Sequence, residues 1–137
     1  MKLTVKLEYA LRALAALTAR YESGEVCCID EMADREAIPA NYLVQILREL
    51  RNGGLVVSKR GKQGGYLLGR APEEISLRDV VALVQGDWFQ GAASKDGLSG
   101  ERVAAAWGQL QKSFEDTAKS ITLRDLATSP AKAMYYI

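Results

Sequence analysis

Apolar positions near the amino terminus recur with the period of an α-helix. The repeat has spacings of four, three and four residues, at Ala10, Leu14, Leu17 and Tyr21. This spacing places the apolar side chains on one face of an amphipathic helix. The pattern predicts a helix over about residues 4–22 that ends near Ser23 and Gly24.

Two further helices are predicted with a short break between them. The first covers residues 29–36 and ends before Pro39, because a proline disfavours helical geometry in the residue that precedes it. Pro39 suits the first turn of the next helix, which extends to about Asn52 before Gly53 and Gly54 end it. Two helices joined by so tight a turn predict a helix-turn-helix.

The third helix has one apolar face and one polar face. Its apolar side chains gather on one side, at Leu43, Ile46, Leu47 and Leu50. Amide and guanidinium side chains gather on the other, at Asn41, Gln45, Arg48 and Asn52. These groups make paired hydrogen bonds to adenine and guanine edges in the major groove. An ordinary solvated face would also be polar, but it would favour Glu and Lys, in which this face is poor.

A β-hairpin is predicted directly after this helix. LVVSK and YLLG are short β-prone runs on either side of the glycine-rich segment RGKQGG, to which Lys59, Arg60 and Lys62 contribute cations. A nucleotide-binding phosphate loop would need a different order of glycine and lysine and a following helix. A helix-turn-helix followed by a basic hairpin is a winged helix, whose wing contacts DNA phosphates or enters the minor groove.

Charge is segregated along the chain although the formal net charge is only +1. Residues 20–38 contain two basic and six acidic side chains, a net charge of −4, whereas residues 39–70 contain six basic and one acidic, a net charge of +5. A solvated basic surface would give the same count. A partner with dense negative charge would find one target region there.

The carboxy-terminal half contains a long helix with an apolar stripe. Ser76 and Asp79 predict a capped start for a helix over residues 77–85, and Thr122 and Asp125 repeat that pattern later. Between them, a helix of roughly 30 Å is predicted over about residues 101–120. Its apolar residues are Val103, Trp107, Leu110, Phe114, Ala118 and Ile121. The stripe could pack on its own domain, but a small winged helix leaves little core to cover it, which favours a dimer seam.

Composition limits the other function classes. The chain has no histidine, the commonest general base and metal ligand, which disfavours an enzyme, and no other catalytic constellation is evident in the sequence. Its two cysteines, Cys27 and Cys28, are adjacent and cannot form an unstrained disulfide. No apolar run approaches the ~18 residues of a membrane span, and Glu8 and Arg12 interrupt the amino-terminal apolar segment, unlike a signal peptide. We therefore expect a cytoplasmic protein that is not an enzyme.

Three stretches carry a resemblance to a known family: KLTVKLEYALRALAAL, IPANYLVQILRELRNGGLVVSKRGKQGGYLLGR and PEEISLRDVVALVQG. Together they resemble the Rrf2 family of bacterial transcription regulators almost from end to end. The most specific part is the wing sequence R-G-x-x-G-G-Y, from Arg60 to Tyr66. The resemblance implies a homodimeric winged-helix protein that binds operator DNA. It also implies phosphate contacts near the start of the first helix, at Thr4, Lys6 and Tyr9.

The sequence departs from the cluster-binding members of that family, which place three cysteines in the loop before the long helix. Residues 86–100 contain none, and thiolates are the ligands that hold iron–sulfur clusters. Glu8 lies where some relatives contribute a carboxylate ligand, and is interpreted here as an exposed or paired acid. Acidic neighbours would raise the thiol pKa of Cys27 and Cys28, so both are interpreted as small structural residues. No cofactor and no metal site are expected.

These observations predict a mainly α protein with a small β-hairpin wing, in which residues 1–75 form a winged-helix DNA-binding domain and residues 76–137 an effector-loop and dimerisation region. The function predicted is that of a homodimeric repressor without an iron–sulfur cluster, whose partners are double-stranded operator DNA and a second copy, with no membrane partner and an unknown effector. Base contacts are expected from Asn41, Tyr42, Gln45 and Arg48. Wing contacts are expected from Lys59, Arg60, Lys62 and Gln63, and dimer contacts from Val103, Trp107, Leu110 and Phe114. The alternative is a protein-interaction module that retains a winged helix and regulates an enzyme or another regulator by direct binding.

Overall fold

The computed structural model describes residues 3–86, 89 and 94–127. Within them the chain forms six α-helices and one antiparallel hairpin, which confirms the predicted fold class. A short 3-10 turn at Pro72–Glu74 follows the hairpin. The elements are α1 (Val5–Thr18), α2 (Ile29–Glu36), α3 (Ala40–Asn52), β1 (Val56–Lys59), β2 (Gly65–Leu68), α4 (Leu77–Val84), α5 (Gly100–Ser120) and α6 (Leu123–Leu126).

Helix α1 begins where predicted but ends four residues early. Thr4 caps it, since its hydroxyl accepts a hydrogen bond from the amide of Leu7 at 3.2 Å. Tyr21 continues the apolar spacing but is 38% exposed in the turn that follows the helix. Arg20 stabilises that turn by donating to the carbonyl of Val26 at 3.0 Å. The predicted extension to residue 22 is therefore wrong, because periodicity alone does not register the turn.

The break between α2 and α3 contains a residue with left-handed backbone angles and, two positions later, a proline. Helix α2 covers the predicted residues and ends with Ala37 at φ 55°. Arg12 of α1 reinforces this end by donating to the carbonyl of Glu36 at 2.8 Å, which satisfies an acceptor that the helix leaves unpaired. Pro39 has extended backbone angles and precedes α3 as its cap, so the predicted placement of Pro39 in the first turn is wrong by one residue.

The wing is attached to the helix-turn-helix along one strand. Strands β1 and β2 pair from Val56 opposite Leu68 to Lys59 opposite Gly65, as an antiparallel hairpin. On its other edge β2 forms a bridge with Cys27. A Cβ at Gly65 would lie 2.6 Å from the carbonyl oxygen of Cys27, so only glycine allows this approach.

The core joins both halves of the chain. Leu7 of α1 and Leu47 of α3 are buried in one cluster with Val80 of α4 and Leu123 of α6. The predicted regions 1–75 and 76–137 thus share buried residues, and their separate roles stay a prediction. Among residues 3–86, 89 and 94–127, no helix is both long enough and apolar enough to cross a membrane.

Helices α4 and α6 start side by side with matching caps. Both predicted capping boxes are present, formed by Ser76 with Asp79 and by Thr122 with Asp125. The amide of Leu77 donates to the carbonyl of the residue before Thr122 at 2.8 Å, and the two cap residues form an isolated bridge. This pairing brings the far end of α5 back to the winged helix.

Candidate nucleic-acid interface

Helix α3 separates its side chains as the sequence predicts. Its apolar residues Leu43, Ile46, Leu47 and Leu50 are each no more than 1% exposed. On the outer side a polar surface is exposed, here called the recognition face; it consists of Asn41, Tyr42, Gln45 and Arg48. The buried side fixes the orientation of α3, so amide, phenol and guanidinium groups are presented together to solvent.

Two contacts join the start of α1 to one edge of α3. Lys6 forms an ion pair with Glu49, with Nζ 2.7 Å from Oε2 and 2.8 Å from Oε1. One turn later, the ring of Tyr9 meets that of Tyr42 edge to face, with centroids 5.5 Å apart. Arg12 lies over the Tyr9 ring at 5.0 Å, a cation–π contact. Sequence reasoning missed Glu49 and Arg12, although the three-residue spacing of Lys6, Tyr9 and Arg12 could have indicated a shared edge.

The three residues that the resemblance implied for phosphate binding all lie at this end of α1, and each has an internal contact. Thr4 is the helix cap, and its hydroxyl also donates to Oε1 of Gln85 at 2.8 Å. Lys6 and Tyr9 are half-buried in the contacts with α3. Phosphate binding by Thr4, Lys6 and Tyr9 stays a prediction.

The tip of the wing is a cluster of exposed polar side chains, here called the wing tip: Lys59, Arg60, Lys62 and Gln63. Gly61 supports the turn between them, with φ at +115°. No carboxylate in the described part of the chain pairs with the three wing-tip cations or with Arg48, whereas Lys6 is paired. Their charge is therefore available to an anionic partner.

Some of the acidic side chains in the segment 20–38 form ion pairs within the chain. Glu31 accepts a hydrogen bond from Arg20, which lowers the pKa of its carboxyl, and Nη1 of Arg35 lies 3.7 Å from the same carboxylate. Glu22 pairs with Arg124 of α6 at 2.5 Å. These contacts neutralise part of the negative charge of the acidic segment within the fold.

A groove of about 420 Å³ lies between α1 and α3 beside the recognition face. It is lined by Lys6, Tyr42, Gln45, Ile46, Arg48 and Glu49. Four of these residues carry a hydrogen-bonding amide or a charge, and the groove is open to solvent. The surface from α1 across α3 to the wing tip can therefore meet a large, polar, anionic partner, which double-stranded DNA is.

Helix α5 exposes most of the predicted seam. We call Val103, Trp107, Leu110 and Phe114 the α5 stripe; the first three are 49%, 54% and 52% exposed. Phe114 is half-buried and meets Phe89 edge to face at 5.6 Å. Towards its end α5 is held by Ala118, which is buried, and by an ion pair between Arg78 and Glu115 at 3.0 Å. The first half of the helix therefore carries large apolar side chains in solvent.

The residues near the loop before α5 do not fit an iron–sulfur cluster. A cavity of about 400 Å³ between α4 and α5 is lined by Arg78, Val81, Ala82, Gly86, Phe89, Gln111, Phe114 and Glu115. This lining contains no thiol. Within the described ranges, no group of three or more acidic or cysteine side chains could hold a metal ion. Glu8 is exposed, as expected.

The two cysteines lie elsewhere, before α2. Cys27 is 1% exposed, and burial raises its pKa, with a smaller contribution from Glu31 that Arg20 opposes. The predicted direction is confirmed, but burial rather than acidic neighbours is the main cause. Cys28 is exposed at the cap of α2, so its interpretation as a small apolar structural residue is wrong.

Comparison with known proteins covers nearly the whole chain. The family model Rrf2, described as an iron-dependent transcriptional regulator, matches residues 3–129. The chain is 30% identical over 128 residues to the HTH-type transcriptional regulator CymR of Bacillus subtilis. The aligned residues cover 93% of this chain and 91% of CymR. It is 34% identical over 133 residues to the HTH-type transcriptional regulator IscR of Erwinia tasmaniensis. This alignment covers 94% of this chain and 80% of IscR.

Solved structures show the same fold. The structure of CymR, the global cysteine regulator of B. subtilis, matches with a TM-score of 0.82 at 29% identity, over 93% of this chain and 96% of that one. The structure of T. potens IscR matches with a TM-score of 0.74 at 32% identity, over 99% and 97% of the two chains. The similarity therefore extends across the helix-turn-helix, the wing and the long helix.

Proposed function

Because the chain belongs to the Rrf2 family of DNA-binding transcriptional regulators, we propose that it acts as a cytoplasmic homodimer that represses transcription from operator DNA. Its family consists of regulators and not of enzymes. The proposal is supported by the exposed recognition face of α3 and by the wing tip of the hairpin that follows α3, whose cations have no carboxylate partner in the described part of the chain. Residues 1–75 would bind DNA, and residues 76–137 would hold the dimer and receive the signal.

Base recognition is assigned to the recognition face. Gln45 and Asn41 can each form a bidentate hydrogen-bonded pair with adenine, and Arg48 can do so with guanine. Tyr42 is 39% exposed, and its ring is supported by Tyr9, so it can contact a base edge or a phosphate. Because the opposite side of α3 is locked in the core, these groups would enter the major groove as one unit.

Phosphate binding is assigned to the wing tip and to the start of α1. Lys59, Arg60 and Lys62 are exposed and would neutralise phosphates, with Gln63 as an additional hydrogen-bond donor. Thr4, Lys6 and Tyr9 would contact the backbone on the other side of α3. Contacts on both sides would fix the register of α3 along the duplex without reading its sequence.

Dimerisation is assigned to the α5 stripe. A stripe that faces its own copy across a two-fold axis is self-complementary, because each side chain meets the same surface on the partner. Complete burial of a large apolar side chain contributes about 1.5–3 kcal/mol, so the exposed Val103, Trp107 and Leu110 favour such a contact. Two subunits would then present two recognition helices to successive turns of DNA.

No iron–sulfur cluster is included in the proposed function. The cavity beside the loop offers one arginine, one carboxylate and otherwise amide or apolar groups, none of which is the thiolate that such clusters require. The signal that controls this regulator would therefore reach it by another route.

Nuclease protection on genomic fragments enriched by the protein tests the proposal. A two-fold dimer should protect an imperfect palindrome whose half-site centres lie about 34–36 Å apart, or a multiple of that distance. Protection of a single asymmetric half-site would contradict the dimer. Absence of protected DNA at low salt, together with a stoichiometric complex with another protein, would favour the alternative of a protein-interaction module.

A further inference from the structure

We propose that Glu49 competes with DNA phosphate for Lys6 and thereby limits the affinity of this regulator for any DNA. The inference rests on the proposed function. It adds that a carboxylate of the protein itself opposes DNA binding. Lys6 lies at the start of α1 and Glu49 on the edge of α3, and each is part of the lining of the groove beside the recognition face.

The ammonium group of Lys6, which a phosphate would bind, is already in contact with the carboxylate of Glu49. Nζ of Lys6 lies within 2.8 Å of both carboxylate oxygens of Glu49, so the carboxylate covers one side of the ammonium group. A phosphate that binds Lys6 must either displace the carboxylate of Glu49 or share the ammonium group with it. The ammonium group would then exchange one anionic oxygen for another. The gain in binding free energy is therefore smaller than for a lysine that has no carboxylate partner before DNA binds.

The charge distribution makes Glu49 exceptional in its segment. It is the one acidic residue among residues 39–70, which otherwise contain six basic residues. Arg48, next to it in sequence, pairs with no carboxylate in the described part of the chain, and nor do the wing-tip cations. The single carboxylate of the basic segment is thus placed on a cation that the same surface would offer to DNA.

Exposure argues against a purely structural role for the pair. The side chains of Lys6 and Glu49 are 35% and 46% exposed, and exposed ion pairs contribute little to folding. The contact between α1 and α3 is also supported by Tyr9 against Tyr42 and by the buried core. Glu49 can therefore be changed without loss of the fold, and its effect should appear in DNA binding.

The experiment is a double-mutant cycle with Glu49→Gln, Lys6→Gln and the combined variant, each checked for an unchanged thermal unfolding transition. Affinity is measured by fluorescence anisotropy for a protected operator duplex and for a random duplex of equal length, over a range of salt concentrations. Glu101→Gln is the matched control, because it removes an exposed carboxylate from α5, outside the proposed interface.

Glu49→Gln should tighten binding to both duplexes by about two- to five-fold at low salt, as expected for release of one exposed ion pair. The slope of log affinity against log salt should steepen by at most about 0.9, the value for one additional phosphate contact. Lys6→Gln should weaken binding more in the Glu49→Gln background than in the wild type, and the combined variant should lose the gain. Glu101→Gln should leave affinity and slope unchanged.

The other outcomes overturn the inference in distinguishable ways. A gain from Glu49→Gln that persists in the combined variant would mean that Glu49 repels phosphate directly, without Lys6. A gain on the operator duplex alone would mean that Glu49 reads a base, as a carboxylate can do with cytosine. Wild-type protein that binds neither duplex would instead refute the proposed function itself.

Discussion

Tyr66 in the second strand of the wing and Cys27 before α2 exchange both of their backbone hydrogen bonds, with N–O distances of 2.9 and 3.0 Å. The wing is therefore joined to the helix-turn-helix along one edge. A two-stranded hairpin alone is marginally stable in water, so this third segment stabilises the hairpin and its direction. The cations of the wing tip are consequently presented at a defined position relative to α3.

The wing tip should supply affinity that does not depend on sequence. Replacing Arg60 and Lys62 by alanine should weaken binding to operator and random DNA alike, because phosphates are present in both. Loss of two phosphate contacts should reduce the salt slope by about 1–2. Affinity measured against salt concentration checks this expectation.

Two exposed lysines of α5 provide a control of equal charge for the wing variant. Lys112→Ala with Lys119→Ala removes the same charge at a distance from the wing, and should leave the salt slope unchanged. A slope that is unaltered in the Arg60→Ala, Lys62→Ala protein would remove the wing from the DNA-binding mechanism.

The recognition face should determine sequence preference instead. Gln45→Ala should change which base is preferred at one position of each half-site, since a good base contact discriminates by about 1–3 kcal/mol. Binding to random DNA should change little, because the side chain carries no charge. Selection of bound duplexes from a randomised pool measures the preference, and an unchanged consensus would exclude Gln45 from base reading.

Local signals in the sequence were sufficient for much of this fold. The two faces of α3, the hairpin and the capping boxes of Ser76 and Thr122 each depend on residues a few positions apart. Propensity, periodicity and capping act over that range, so the sequence alone predicts them. The recognition face and the wing tip follow from the same signals.

Contacts between distant residues could not be predicted in this way. Lys6 and Glu49 are 43 positions apart, and Thr4 and Gln85 are 81 apart. Periodicity shows which side of a helix is buried, but not which side chain of another helix lies opposite. Lys6 was therefore expected only as a phosphate contact, and its ion pair with Glu49 was not foreseen.

The α5 stripe should be required for the dimer. Trp107→Glu should yield monomers with much weaker operator binding, because burial of an unpaired charge in an apolar seam is costly. Gln109→Glu is the control, since it adds the same charge to the same helix outside the stripe. Mass measured by light scattering tests the expectation, which fails if Trp107→Glu stays dimeric.

Arg124 should make stability sensitive to acid. Its hydrogen bonds hold the pKa of the Glu22 and Glu73 carboxyls below their ordinary value. A lowered folded-state pKa contributes stability that is present above the unfolded pKa of about 4.3 and is lost as pH falls through the folded value. Arg124→Met should thus be less stable than wild type at about pH 7, and the difference should shrink as the pH falls below about 4.3.

Urea unfolding midpoints at about pH 7 and at a series of acidic pH values measure this difference in stability. Arg102→Met is a suitable control, because Arg102 of α5 is exposed and donates to Ser99 at 3.3 Å, a neutral hydroxyl. The difference in unfolding midpoint between Arg102→Met and wild type should not depend on pH. A constant gap between Arg124→Met and wild type across the range would show that these carboxyls do not couple folding to protons.

The cysteines are poorly placed to replace the thiols that the loop before α5 lacks. Cys27 is buried and its pKa is raised, so its sulfur is neither accessible to a cluster nor readily ionised. Cys28 is exposed, which leaves one accessible thiol in the chain. Iron–sulfur clusters are generally held by four protein ligands, most of them thiolates.

Protein purified without oxygen is therefore expected to be colourless, and supplying iron and sulfide should leave its affinity for operator DNA unchanged. Absorption spectra, iron content and anisotropy on the same sample measure these quantities. The Cys28→Ser variant, which removes the accessible thiol without disturbing the core, should behave as wild type does. A stoichiometric iron–sulfur absorption band that disappears in Cys28→Ser would contradict the prediction. Such a band would require Cys28 of two subunits to share one cluster, and it would make that residue the sensor of the regulator.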